Sequence, residues 1–243
     1  GEMSREYKAK ISFAIIWLVV YLIGLLISNI LSDLVEIPNL CTTIYRILFV
    51  LILFIYMQKK KVLSYYGICS LKMLNSKALL YYIPLGLLVI VPLVFGVEIS
   101  LSWGQILLLS ISALCIGFIE EILMRGFLFK ALLERDKVLA IVISSFSFGL
   151  IHIVNLFGGA DILYTLAQII FTCAFGFACA MFLYKTNNII PCILCHGLLD
   201  LCALFSTEDT NEMFMIFGLL AIISLAYGIY LLRMNKKKVK QIA

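Results

Sequence analysis

The sequence predicts an all-α fold, a polytopic membrane protein built as a bundle of about eight transmembrane helices with both termini cytoplasmic. Three observations predict it. Of 243 residues, 63% are hydrophobic and only 14% charged, with a mean hydropathy of +1.10. A soluble domain of that balance would lack the polar surface to cover its core. Apolar stretches of about twenty residues recur along the chain with short gaps, the length that crosses ~30 Å of hydrocarbon. Finally, basic residues collect in alternate gaps, as the positive-inside rule requires.

The spans follow in order. The first, 11–31, is longer than the apolar region of a secretory leader and lacks a cleavage pattern, so it is expected to be retained. Gly1 and Glu2, ahead of Met3, are set aside as added residues. The second, 40–57, holds one cation, Arg46, expected to snorkel at the outer end. The third, 78–99, contains Pro84 and Pro92, which should kink it. The fourth, 104–129, carries Glu120, Glu121 and Arg125, and the fifth, 138–157, carries Phe148, His152 and Asn155. The sixth, 162–184, presents Ala174, Ala178, Gly176 and Ala180 at four-residue spacing, a face suited to close helix approach. The seventh, 188–206, carries His196 and Asp200 after Pro191, and the eighth, 213–232, carries no charge. The gaps leave no room for a second domain, so residues 1–243 read as one.

With the N-terminus inside, the cytoplasmic segments hold 17 of the 19 basic residues. They are Arg5, Lys8 and Lys10; Lys59, Lys60, Lys61, Lys72 and Lys77; Lys130, Arg135 and Lys137; Lys185; and Arg233, Lys236, Lys237, Lys238 and Lys240. The opposite loops collect acids instead: Asp33, Glu36, Glu98, Asp161, Glu208, Asp209 and Glu212. The net charge of +5 is then this bias plus attraction to anionic lipid; a nucleic-acid partner would need a basic face on a soluble domain. The eight cysteines read as small apolar residues. Cys192-x-x-Cys195-His196 matches a haem-attachment string by letters, but within an apolar helix with no room for a haem domain. A zinc site of Cys and His is a lesser alternative, and disulfides are not expected.

Ionisable groups at membrane depth are costly and usually face a polar cavity. At 1.5 Å per residue Glu120 lies roughly 15 Å from the anchor Lys130, His152 roughly 22 Å from Lys137, and His196 and Asp200 about 16 and 22 Å from Lys185. Three spans thus bring acids and imidazoles to matching depth. Glu121 and Arg125 are four residues apart and can pair, while Glu120 points about 100° away. Glu121 is therefore expected to partner Arg125 and Glu120 to be the reactive carboxylate, a general base beside an imidazole. His196 and Asp200 share a helix face, where a carboxylate can fix an imidazole tautomer. Phe148 is expected to line the cavity, and Asn155 to be a polar neighbour or a helix-end residue. There is no Ser-His elbow, no Gly-Asp dyad, no His-Glu-x-x-His and no phosphate loop. A carboxylate with two imidazoles remains, activating water directly or through a metal, and both routes give hydrolysis. A proton-coupled transporter would also bury such groups, but paired repeats with broken helices are not visible.

Glu120-Glu121-x-x-x-Arg125, Phe148-x-x-x-His152 and His196-x-x-x-Asp200 resemble, in order, the three signature motifs of the CAAX protease and bacteriocin-processing family of intramembrane endopeptidases, also called the Abi family. The resemblance covers about 104–206, which is expected to be the catalytic core. It implies that Glu120 and His152 activate the attacking water, that His196 with Asp200 binds or stabilises the oxyanion, and that Glu121 and Arg125 support them. The last motif position is often Asn in the prenyl-protein branch; an ionised Asp200 cannot donate to an oxyanion, so orienting His196 is its expected role. The family is called metalloprotease, and Glu120, His152 and His196 would be the zinc ligands if a divalent metal is present. The Lys-, Ile- and Leu-rich composition looks bacterial, which implies a multi-pass plasma-membrane protein. Its substrates would be membrane-associated leader peptides, pheromone precursors or bacteriocins. The alternative is a non-catalytic immunity or scaffold protein that binds a partner through the same cavity.

Overall fold

A computed structural model describes residues 4–68 and 76–235. Cys69, Lys72, the side chain of Lys77, Lys236, Lys237, Lys238 and Lys240 lie outside the described residues. The chain is helical, with no strand among them: α1 Arg5–Leu34, α2 Leu40–Lys59, α3 Ser76–Ile90, α4 Trp103–Glu121, α5 Lys130–Leu133, α6 Lys137–Leu150, α7 Ile162–Thr186, α8 Ile190–Ala203 and α9 Thr210–Arg233. Side-chain caps start five of them. Ser4, Ser102, Asp136, Asp161 and Asp209 each accept from the amide three residues on, satisfying a donor the helix cannot. Left-handed Asn187 and Gly159 stop α7 and the segment before it.

Among the described residues, six helical stretches are long and apolar enough to cross a membrane: Arg5–Leu34, Leu40–Lys59, Trp103–Leu133, Lys137–Gly158, Ile162–Thr186 and Thr210–Arg233. Large apolar side chains such as Ile16, Leu26, Phe146, Ile170 and Ile222 stand exposed on them, as a lipid-facing surface requires. The chain is a multi-pass membrane protein.

Four spans depart from the sequence expectation. The third ends early: α3 stops at Ile90 and passes through a 3-10 turn, Val91–Leu93, because Pro92 cannot continue the ladder. Pro84 is accommodated inside α3, and the expected helix at 94–99 is absent. The seventh is α8, 14 residues and so about 21 Å long, too short to span alone. Fourth and fifth spans change winding where the motifs lie. Ile122–Phe129 is π-helical and Ile151–Gly158 is 3-10, so Arg125 and His152 both sit outside regular α-helix. Such irregular turns concentrate at functional sites.

Polar contacts sort the bundle into two ends. At one, Lys10 reaches Glu134 (2.6 Å), Lys130 donates to the Tyr65 carbonyl and to Asn187, Ile189 donates to the Gly67 carbonyl, and Lys185 donates to Met234 (2.6 Å). At the other, Asn39 donates to Gln105 (2.9 Å) and Glu98 meets the segment 205–208. The start of α1 and the end of α9 therefore share an end.

Close packing draws the motif helices together. Helix α4 lies against α8 at Gly117, where an added Cβ would stand 2.6 Å from the Gly197 nitrogen. Helices α6 and α7 approach through Gly149 and Gly176, the latter from the expected small-residue face. An aromatic cluster of Phe13, Trp17, Phe49, Tyr56 and Phe127 fastens α1 and α2 to the π-helical segment.

Candidate active site

A cavity of about 420 Å³ opens inside the bundle, within the range of small-ligand sites. Glu120, Phe148, His152, Asn155, His196 and Asp200 line it, and so does Arg46. Glu121 and Arg125 do not. They lie behind it, fully buried.

Three elements build the centre. Glu121 closes α4, and its carboxylate takes Arg125 Nε at 3.2 Å and Nη2 at 3.3 Å. The π-helical turn does not break this expected pair. Glu121 also accepts from His196 Nδ1 at 2.9 Å, across 75 residues of sequence. The Arg125 guanidinium lies over the Phe148 ring, 4.3 Å from its centroid, a cation–π contact strengthened by exclusion of water. A Cβ at Gly176 would reach to 3.3 Å from Arg125 and from Phe148, so glycine there makes room for the stack. The Phe148 ring also meets His152 edge-on at 5.5 Å and packs against His196 at 5.7 Å. Phe148 both lines the cavity and braces both imidazoles.

The hydrogen bonds decide how the rings face. His152 Nδ1 bonds the Phe148 carbonyl at 3.0 Å, and His196 Nδ1 bonds the Glu121 carboxylate. A carbonyl and a carboxylate accept, so each Nδ1 carries the proton and donates. Each ring is left with Nε2 for further chemistry. For His196, Nε2 stands 3.3 Å from Glu120 and 3.4 Å from Asp200. The side chain of Glu120 is 25% accessible and that of Asp200 32%, against 0% for Glu121. The adjacent acids thus divide the work: Glu121 locks the scaffold and Glu120 meets the cavity.

Asp200 faces His196 at Nε2, while Glu121 holds Nδ1. One expectation needs correction. Arg46 does not snorkel outward. Its Nη1 donates to Ser112 Oγ at 2.7 Å and its Nε to the Tyr21 hydroxyl at 3.4 Å, which turn it into the cavity. The signal was present, since a charge in a span tends to face the bundle interior. Asn155 is a cavity residue and donates to Gln168 at 2.9 Å. Of the cysteines, Cys192 and Cys195 are buried and pack against backbone carbonyls of Cys179 and Leu85.

Zinc was a fair expectation from the donor types. Among the described residues, however, no three His, Cys, Asp or Glu side chains are grouped to hold a metal ion. His196 Nε2 and His152 Nε2 both remain uncommitted to backbone, but the arrangement links Glu120, His196 and Asp200 by hydrogen-bond distances and not as a ligand set.

Residues 102–202 match the model of a protein family described as type II CAAX prenyl endopeptidase Rce1-like. No curated protein and no solved structure matches the chain. The matched segment contains all three motifs and the helices α4 to α8 that bring them together. That family is one of proteases, and residues 102–202, which supply Glu120, His152, His196 and Asp200 to the cavity, resemble it.

Proposed function

We propose that this protein is an intramembrane endopeptidase in which Glu120 activates a water molecule within the cavity. One observation carries the reading. Glu120 is the accessible acid of a buried pair, beside an imidazole whose far nitrogen is clamped by the sealed member of that pair. In the proposed reaction a water between Glu120 and His152 Nε2 attacks the substrate carbonyl, and Glu120 accepts its proton. The C–N bond then breaks and the proton passes from Glu120 to the leaving nitrogen. His196, with a proton at Nε2, donates to the developing oxyanion, a role worth roughly 10²–10³ in rate where measured. Asp200, 3.4 Å from the same nitrogen, accepts that proton's hydrogen bond until the oxyanion takes its place. Glu121 and Arg125 act through His196 and Phe148 and touch no substrate.

The same reading takes eight membrane-inserted helices, with α3 and α8 as the short members, and both termini cytoplasmic. Substrates are membrane-associated peptides or proteins such as peptide precursors, leader peptides or bacteriocins, in a bacterial plasma membrane. To hold a divalent metal, Glu120, His152 and His196 would have to draw together from the arrangement described; a metal held there would polarise the water. Stoichiometric zinc in purified protein, lost in His152→Ala, would establish that. The test of the function is mass spectrometry of membrane peptides from cells carrying wild-type protein or Glu120→Gln. The expected result is a set of cleavage products absent from the variant, although it accumulates normally. Identical peptide sets would overturn the proposal.

A further inference from the structure

Arg46 is the one cavity residue that the proposed reaction leaves unused and that carries a fixed charge. It projects from α2 and lines the same cavity as Glu120, His152 and Asp200. Its two hydrogen-bond partners, Tyr21 and Ser112, are each 1% exposed and neutral. No Asp or Glu among the described residues lies within 4.0 Å of it. Nη2 makes no bond to a described residue, and the side chain is only partly buried. The contrast with Arg125 is sharp: that guanidinium is sealed and ion-paired at 3.2 Å. A planar guanidinium fixed at Nε and Nη1, with Nη2 left over in a residue that lines the cavity, can receive a carboxylate.

We infer that Arg46 is an anion subsite and that the substrate seats a carboxylate there, beside the bond that Glu120 attacks. The carboxylate belongs either to a free C-terminus or to an acidic side chain. This rests on the endopeptidase reading for what the subsite serves, but not for its existence. A rival role, remote balancing of Glu120 and Asp200, would make Arg46 indifferent to what charge the substrate carries.

Binding separates the two. Glu120→Gln protein in lipid nanodiscs is titrated with a fluorescent mixture of apolar octapeptides in three forms. One has a free C-terminal carboxylate, one a C-terminal amide, and one the amide with a single internal Glu. At least one carboxylate-bearing form is expected to bind about 10-fold more tightly than the plain amide, and the preferred form identifies the source. Adding Arg46→Gln should remove the preference while leaving amide binding intact. Arg46→Lys, which keeps the charge without the planar fork, should retain part of it. If Arg46→Gln fails to accumulate, Ser112→Ala with Tyr21→Phe unfastens the guanidinium and should reduce the preference. Absence of binding, equal binding of all three forms, or a preference that survives Arg46→Gln overturns the inference. Discrimination by a wild-type protein that cleaves none of the peptides would keep the subsite and remove the endopeptidase reading.

Discussion

Replacing Gly117 with alanine tests the geometry most directly, because it alters no polar group. The new Cβ would stand 2.6 Å from the Gly197 nitrogen, 2.7 Å from the Ile193 oxygen and 2.8 Å from the Gly197 Cα, all backbone atoms of α8. Ordinary contact begins at 3.4 Å, and backbone cannot swing aside like a flexible side chain. Helices α4 and α8 must therefore separate by about 1 Å. The clash lies beside His196 and one turn from Glu121. The same movement stretches the 2.9 Å bond between Glu121 and His196 to nearly 4 Å, beyond hydrogen-bonding range. A misplacement of about 1 Å costs roughly 10²-fold in rate, and overpacking costs typically 1–3 kcal/mol in stability. Cleavage of the peptides defined by the wild-type comparison should fall about 100-fold in Gly117→Ala. Gly197→Ala is the control: its Cβ meets Leu114 Cα at 3.3 Å, which tenths of an ångström relieve, so its loss should stay below about 10-fold. Thermal unfolding in detergent monitors integrity of both variants. Activity of Gly117→Ala close to wild type, or equal damage from both substitutions, would refute the proposed coupling of helix approach to the site.

His152→Ala should abolish cleavage with normal accumulation, since the ring is held by a single bond to the Phe148 carbonyl and its loss leaves α6 intact; retained proteolysis would remove His152 from water activation. Arg125→Met should be far more damaging to accumulation, roughly 3–5 kcal/mol, because it leaves Glu121 buried without its cation; the double variant Glu121→Gln with Arg125→Met should accumulate better than Arg125→Met alone, and immunoblotting of membranes reads both. Asp200→Asn should lose less than about 10-fold in cleavage rate, since an amide oxygen can still accept from His196 Nε2; a loss as large as that of Glu120→Gln would assign the Asp200 charge to the chemistry. A tag after Ala243 should react only with reagents on the cytoplasmic side, and a cysteine at Glu208 only from outside; the reverse pattern would invert the topology.

The adjacent acids Glu120 and Glu121 illustrate what sequence resolves at short range. Helical spacing separates their directions and assigns Arg125 to Glu121, and an ion pair four residues apart forms even through the π-helical turn. Its limits begin where partners are far apart in the chain. That Glu121 holds His196 Nδ1 depends on α8 lying against α4, which rests on Gly117 meeting Gly197; no local pattern announces that contact. Arg46 is similar. Its charge was visible, but whether it turns outward or inward depended on hydroxyls from α1 and α4. Winding was also hidden, because the apolar pattern of 104–129 and 138–157 reads alike for α-, π- and 3-10 turns.

Composition, span length and the segregation of charge thus determined by themselves that the chain is a helical membrane protein with buried ionisable residues on three spans. Hydropathy is a property of stretches, and burial in lipid enforces helix wherever a stretch is apolar enough. Tertiary structure alone decided which nitrogen of each imidazole is free, which acid is sealed and that Arg46 shares the cavity. Hydrogen bonds act over about 3 Å, and at that scale the close approach of α4 and α8 outweighs any spacing in the sequence.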